Sequence, residues 1–84
     1  MREMPAPRNE RLSASLQLQF GERVRSFRGV LGISQEELAD RSGLDRTYIS
    51  SVERGYRNVG LVNIYRIAKA LEKDPGELLQ GLHE

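Results

Sequence analysis

Apolar residues recur at helical spacing along most of this chain, and residues with capping chemistry punctuate the pattern. Leu16, Phe20, Val24, Phe27 and Leu31 fall at i, i+4, i+8, i+11 and i+15, the stripe of one amphipathic helix. The spacing predicts a first helix from near Ser13 or Ser15 to Leu31, closed by Gly32. Gly21 and Gly29 lie inside it, and each costs about 1 kcal/mol relative to alanine, so the helix depends on tertiary packing.

The stretch from Ser34 to Arg54, SQEELADRSGLDRTYISSVER, predicts two short helices joined by a tight turn. Ser34 and Glu37 have the spacing of a capping box, with Ile33 and Leu38 as its hydrophobic staple. Leu38 and Ala39 supply the buried stripe. Gly43, free to adopt φ > 0, is expected to end this helix. Asp45 is expected to cap the next helix, with Leu44 and Ile49 as staple, and that helix stops at Gly55. Two helices around one glycine turn have the geometry of a helix-turn-helix.

Sorting the second of these helices by its 3.6-residue period turns Ile49 and Val52 inward, with Glu53 at their edge. Arg46, Thr47, Ser50, Ser51 and Arg54 share the other face, which carries donors, hydroxyls and a methyl group but no carboxylate. Arg can fork onto guanine O6 and N7, Thr and Ser can hydrogen-bond base edges, and the Thr methyl can rest on a thymine methyl. Taken alone, the face also suits a solvated surface on a small helical bundle.

A fourth helix is marked by Leu61, Ile64, Ala68 and Leu71 on one stripe, with Val62, Tyr65 and Ile67 widening it beyond what one small core needs. That surplus suggests a second partner. A fifth opens at Asp74-Pro75-Gly76-Glu77, where Asp74 caps, Pro75 takes the first helical position and Glu77 completes an Asp-x-x-Glu box. Leu78, Leu79 and Leu82 follow, and Gly81 marks the end of this helix.

Residues 20–79 resemble the Cro/repressor-type (XRE) helix-turn-helix family. The resemblance is carried by Ser34-Gln35-Glu36-Glu37-Leu38-Ala39, the turn Ser42-Gly43-Leu44, the run Asp45-Arg46-Thr47-Tyr48-Ile49-Ser50, and Glu53-Arg54-Gly55. Within the family, the Leu44 to Ile49 wording and the short chain are similar to restriction–modification controller proteins, with small phage repressors and antitoxins also sharing much of it. The resemblance implies an all-α, compact five-helix bundle of the lambda-repressor-like type. It also implies a sequence-specific transcriptional regulator that binds a pseudo-palindromic operator as a dimer, with residues 45–54 in the major groove.

On that reading Arg46, Thr47, Ser50 and Ser51 read bases, while Gln35, Arg54, Arg57 and Asn58 hold the DNA backbone. Tyr48 is placed with these backbone contacts, the other reading being that it fills the gap between helices. By resemblance, Arg28 pairs with Glu53, tying the first helix to the recognition helix. Family members commonly dimerise through the C-terminal region, which nominates Leu61, Ile64, Tyr65 and Leu79 here. Val59 and Gly60 depart from the family pattern of Pro followed by Ser or Thr, which hints at a looser loop. The alternative is a protein–protein module, such as an antitoxin or regulator-binding domain, using helices four and five.

Composition narrows the classes further. Eighty-four residues leave room for one core, taken as residues 13–84. Residues 1–12, with Pro5, Pro7 and alternating charges, are expected to be disordered, or else to offer Arg2, Arg8 and Arg11 as an arm to DNA. The net charge of +1 argues against an indiscriminate nucleic-acid binder. From Arg46 to Arg57 the only acid is Glu53, against Arg46, Arg54 and Arg57.

With no cysteine there is neither a disulfide nor a thiolate metal site. No run approaches the roughly 18 apolar residues of a membrane span, and no signal-peptide pattern opens the chain. A cytoplasmic protein without cofactor or evident small-molecule ligand is therefore expected. Catalysis has little to work with, because the single histidine, His83, is expected to be a disordered surface group and no phosphate-cradling loop occurs.

Overall fold

The apolar stripe of the first helix forms where the spacing predicts it, but the helix is longer. The computed structural model describes residues 8–83, and α1 spans Arg8–Leu31. Residues 8–12, expected to be disordered, are helical instead. Arg, Glu and Leu are good helix formers, Glu10 lies in the first turn where a carboxylate complements the helix dipole, and the prolines stop at Pro7. Residues 1–7, and Arg2 with them, lie outside the described residues.

Four shorter helices follow: α2 (Gln35–Ser42), α3 (Arg46–Glu53), α4 (Leu61–Ala70) and α5 (Pro75–Leu79). α1 packs on α3 and α5, α2 on α3 and α4, and α4 on α5. Each helix drives at least one fully buried side chain into the shared core: Val24, Leu38, Ile49, Ile67 and Leu78, joined by Leu71 at the end of α4. Burying a side chain of this size stabilises by about 1.5–3 kcal/mol, so helices too short to persist alone hold together here. Phe20 is buried with them, and Phe27 and Leu31 pack at the edge. This is the all-α five-helix arrangement that the resemblance implies.

Two elements differ from expectation in ways that packing explains. The stripe expected for α4 holds except at its first residue: Ala68 and Leu71 are buried with Ile67 and Ala70, and Ile64 packs against the core, while Leu61 is 78% exposed and Val62 and Tyr65 are exposed beside it. α5 ends at Leu79 and does not run on to Gly81, because Gln80 turns extended and Gly81 takes φ 76°. The chain end is fastened to α1. Gln19 Nε2 donates to the His83 carbonyl at 2.6 Å, and the His83 N–H donates back to Gln19 Oε1 at 3.2 Å. His83 is thus exposed but held, contrary to the expectation of a disordered group. Arg23 adds a bond from Nη1 to the Glu77 carbonyl at 2.9 Å.

The end of α4 stores strain. Glu72 sits at φ 61°, the left-handed region that disfavours a side chain, because the Lys73 N–H must reach back to the Ala68 carbonyl at 2.9 Å. Its compensating contact is an exposed ion pair with Arg41 at 3.7 Å, which is worth little. Glu72→Gly is therefore expected to stabilise the fold by about 0.5–1 kcal/mol. In a domain of this size that raises the thermal midpoint by roughly 2–8 °C. An unchanged or lowered midpoint in a thermal melt would show that the Arg41 contact outweighs the backbone strain.

Candidate nucleic-acid interface

The helix-turn-helix is built from local signals at both of its joints. Ser34 caps α2 by accepting the Glu37 N–H at 3.0 Å. The reciprocal half of the box does not form, since the Glu37 carboxylate turns toward Arg41 one turn along, at 3.7 Å. Gly43 takes φ 72°, and the Leu44 N–H reaches the Ala39 carbonyl at 3.1 Å, closing α2 in the six-to-one pattern that needs a left-handed residue. Asp45 occupies the N-cap of α3 with extended backbone, but its carboxylate makes no capping hydrogen bond, so the turn geometry and the buried Ile49 start that helix.

The far end of α3 is locked to α1 and α2 through one carboxylate. Glu53, whose side chain is 3% exposed, receives Arg28 Nε at 2.7 Å and Arg28 Nη2 at 3.0 Å, a bidentate fork. Arg28 Nη1 continues to the Ile33 carbonyl at 3.0 Å, and Gln35 Nε2 donates to Glu53 Oε1 at 3.1 Å. The hydrogen bonds it donates to Glu53 raise the Arg28 guanidinium above its ordinary pKa, against the lowering effect of burial. Folding stability drawn from that shift is lost only as pH rises through the raised value, so the Arg28 guanidinium keeps its charge across the ordinary working range. Gln35, half-buried, gives an amide N–H to this network.

With Glu53 buried and neutralised by Arg28, the charges that α3 and the following loop present to solvent are Arg46, Arg54 and Arg57. Arg46 and Thr47 are exposed on the first turn, and Ser50 is half-buried beside them. Arg54 at the helix end lies 4.9 Å above the ring of Tyr56, an exposed aromatic that the sequence reading passed over. Arg57 and Asn58 are exposed in the loop.

Ser51 is not where the helical period places it. The residue is 8% exposed, its hydroxyl donates to the Tyr48 carbonyl at 2.7 Å, and it accepts Arg57 Nε at 3.0 Å. The helical period puts it on the exposed face because a helical wheel contains only the helix; the Arg57 side chain, folding back from the loop, covers it. Tyr48 is half-buried against the core, its ring 5.5 Å below the Arg57 guanidinium and its hydroxyl accepting Asn63 Nδ2 from α4 at 3.3 Å. Of the two readings of Tyr48, the interhelical one describes these contacts. Asn63 itself was missed, although a lone amide inside the apolar run Leu61-Val62-Asn63-Ile64-Tyr65 is a readable signal.

The four residues nominated for self-association differ in exposure. Leu61 and Tyr65 are exposed on the outer side of α4, Tyr65 bordering a shallow groove with Arg41, Arg66 and Lys69. Ile64 is half-buried against the core, and it shares with Leu79 a different, mainly apolar groove toward Leu16 and Phe20 of α1.

Comparison with known proteins agrees with this geometry. A helix-turn-helix family profile matches residues 24–78. Control protein C.BamHI of Bacillus amyloliquefaciens is 48% identical over 69 residues, covering 81% of this chain and 85% of its own length. Control protein C.SmaI of Serratia marcescens is 54% identical over 65 residues, covering 75% and 77%. Among solved structures, the restriction–modification controller protein C.AhdI of Aeromonas hydrophila superposes with a TM-score of 0.73 at 55% identity, over 74% of this chain and 94% of that one. An α2–turn–α3 unit locked by Arg28 and Glu53, a matching profile over most of the folded residues and these relatives together mean that the chain belongs to the Cro/repressor-type (XRE) helix-turn-helix family of transcriptional regulators.

Proposed function

We propose that this chain is a sequence-specific transcriptional regulator that binds a pseudo-palindromic operator as a homodimer, in the manner of a controller protein and without catalytic activity. The observation that carries the proposal is the sign of the exposed α3 surface. From Arg46 to Arg57 the only acid is buried and paired, and Arg46, Arg54 and Arg57 face outward with Thr47 exposed and Ser50 half-buried, so three arginines outweigh the one exposed carboxylate beside them, Asp45 at the N-cap. In the major groove, Arg46 and Thr47 read base edges with help from Ser50, while Gln35, Arg54, Arg57 and Asn58 hold phosphates. Counterion release at those phosphates supplies much of the affinity.

One recognition helix spans only a few base pairs, so useful specificity calls for two related by a two-fold axis. The exposed apolar residues Leu61, Val62 and Tyr65 of α4 support self-association. Work at DNA places the chain in the cytoplasm; among the described residues no helix is long and apolar enough to cross a membrane.

Selection of bound duplexes from a random pool tests the proposal directly. Enrichment of a two-fold site with half-site centres about one helical turn, roughly 34 Å, apart is expected; recovery of an unenriched pool would overturn it. On the selected site, Arg46→Ala is expected to cost about 1–3 kcal/mol and to flatten discrimination at one base pair, because a bidentate contact to guanine is lost. Equal losses on selected and random duplexes would make Arg46 a phosphate contact.

A further inference from the structure

Ser51 has one proton, and the structure commits it. The hydroxyl donates to the Tyr48 carbonyl one turn back at 2.7 Å, which leaves only its lone pairs free, and Arg57 Nε takes one of them at 3.0 Å. The backbone of the same residue fastens the loop, since the Tyr56 N–H donates to the Ser51 carbonyl at 2.9 Å. The guanidinium of Arg57 then lies over the Tyr48 ring, 5.5 Å from its centre, and Tyr48 is steadied from α4 by Asn63. Arg57 is therefore gripped at Nε from one side and from below. Among the described residues no hydrogen bond takes its terminal amino groups, which stay available at the surface.

We propose that Ser51 is a positioning residue that sets Arg57 in place before DNA arrives, and that it touches no base itself. The inference rests on the DNA-binding reading above. A long arginine on a loop loses rotamer freedom when it binds, and an arm already held by Ser51 and Tyr48 loses less of it at that moment. The fork of the guanidinium makes the restraint useful, because fixing Nε fixes the plane in which the terminal N–H groups point. It also explains why a serine at a helical position that looks outward is only 8% exposed.

The test combines a measurement on free protein with a mutant cycle on DNA. In the free protein, NMR of arginine side chains is expected to show an Arg57 Nε–H protected from solvent exchange in the wild type and exchanging at least about tenfold faster in Ser51→Ala, as expected when a hydrogen bond is lost. On the selected duplex, Ser51→Ala is expected to weaken binding by about three- to tenfold, the range of one ordinary hydrogen bond, and to do so equally on random duplexes. Ser51→Thr, which keeps the hydroxyl, is expected to restore the exchange protection. In an Arg57→Ala background, adding Ser51→Ala is expected to change nothing further, the signature of action through Arg57.

Loss of discrimination at a single base pair in Ser51→Ala, or a full effect persisting without Arg57, would overturn the proposal and return Ser51 to the base-reading set. An unchanged Nε–H exchange rate would overturn it as well. If the wild type bound no duplex, both readings would fall as accounts of DNA binding, and the exchange measurement would still decide whether the Ser51–Arg57 grip exists.

Discussion

Glu53→Ala is expected to destabilise the fold by about 3–5 kcal/mol, the cost of removing one partner from a buried, hydrogen-bonded ion pair. The substitution leaves the Arg28 guanidinium, with a side chain 19% exposed, without the carboxylate that accepts two of its N–H groups, and leaves Gln35 without its acceptor. Part of the guanidinium can rehydrate, which favours the lower end of that range. Because Glu53 is the last residue of α3, the damage falls on the joint that sets the angle between α1 and the recognition helix.

Urea unfolding is the appropriate measurement, since it leaves the ion pair unscreened; the midpoint is expected to fall with the slope unchanged. Replacing Arg28 and Glu53 together by methionine is expected to recover much of the loss, because no orphaned charge remains. A loss below about 1 kcal/mol for Glu53→Ala would show that the pair behaves like an exposed surface bridge.

Much of the fold was legible because its signals are local. Ser34, Gly43 and Gly55 punctuate the chain through backbone preferences that need no tertiary context, and the apolar stripe of α1 follows from its period alone. The long-range features were legible only through resemblance or not at all. The Arg28–Glu53 pair joins residues far apart in sequence, and nothing in their neighbours identifies the partner. The helical period puts Ser51 outward because its cover comes from a loop, and of the stripe expected for α4 only Leu61 is left outside the core, beside the surplus residues Val62 and Tyr65. Asp45 was credited with a cap that the turn makes unnecessary. At Ser51 and at the Arg28–Glu53 pair, a contact from elsewhere in the chain decides what no local rule contains.

Gly21 shows the same division most sharply, and Gly21→Ala is expected to destabilise by about 3 kcal/mol, the upper end of the ordinary cost of overpacking. From sequence, this glycine weakens α1 by about 1 kcal/mol relative to alanine. In the structure it is the point where α1 meets the end of α3. A Cβ there would stand 2.2 Å from the Val52 carbonyl oxygen and 2.8 Å from that of Glu53. Both obstacles are backbone atoms, so neither can rotate away, and relief requires the two helices to separate.

Separation would loosen the Arg28–Glu53 fork and tilt the recognition helix, so DNA affinity is expected to fall along with stability. Gly29 provides the control on the same helix. A Cβ there meets nothing within 4 Å, so Gly29→Ala is expected to stabilise by up to about 1 kcal/mol through helix propensity alone. Thermal or urea unfolding of the two variants should therefore move in opposite directions. A Gly21→Ala protein as stable as Gly29→Ala would mean that α1 does not sit against α3 as described.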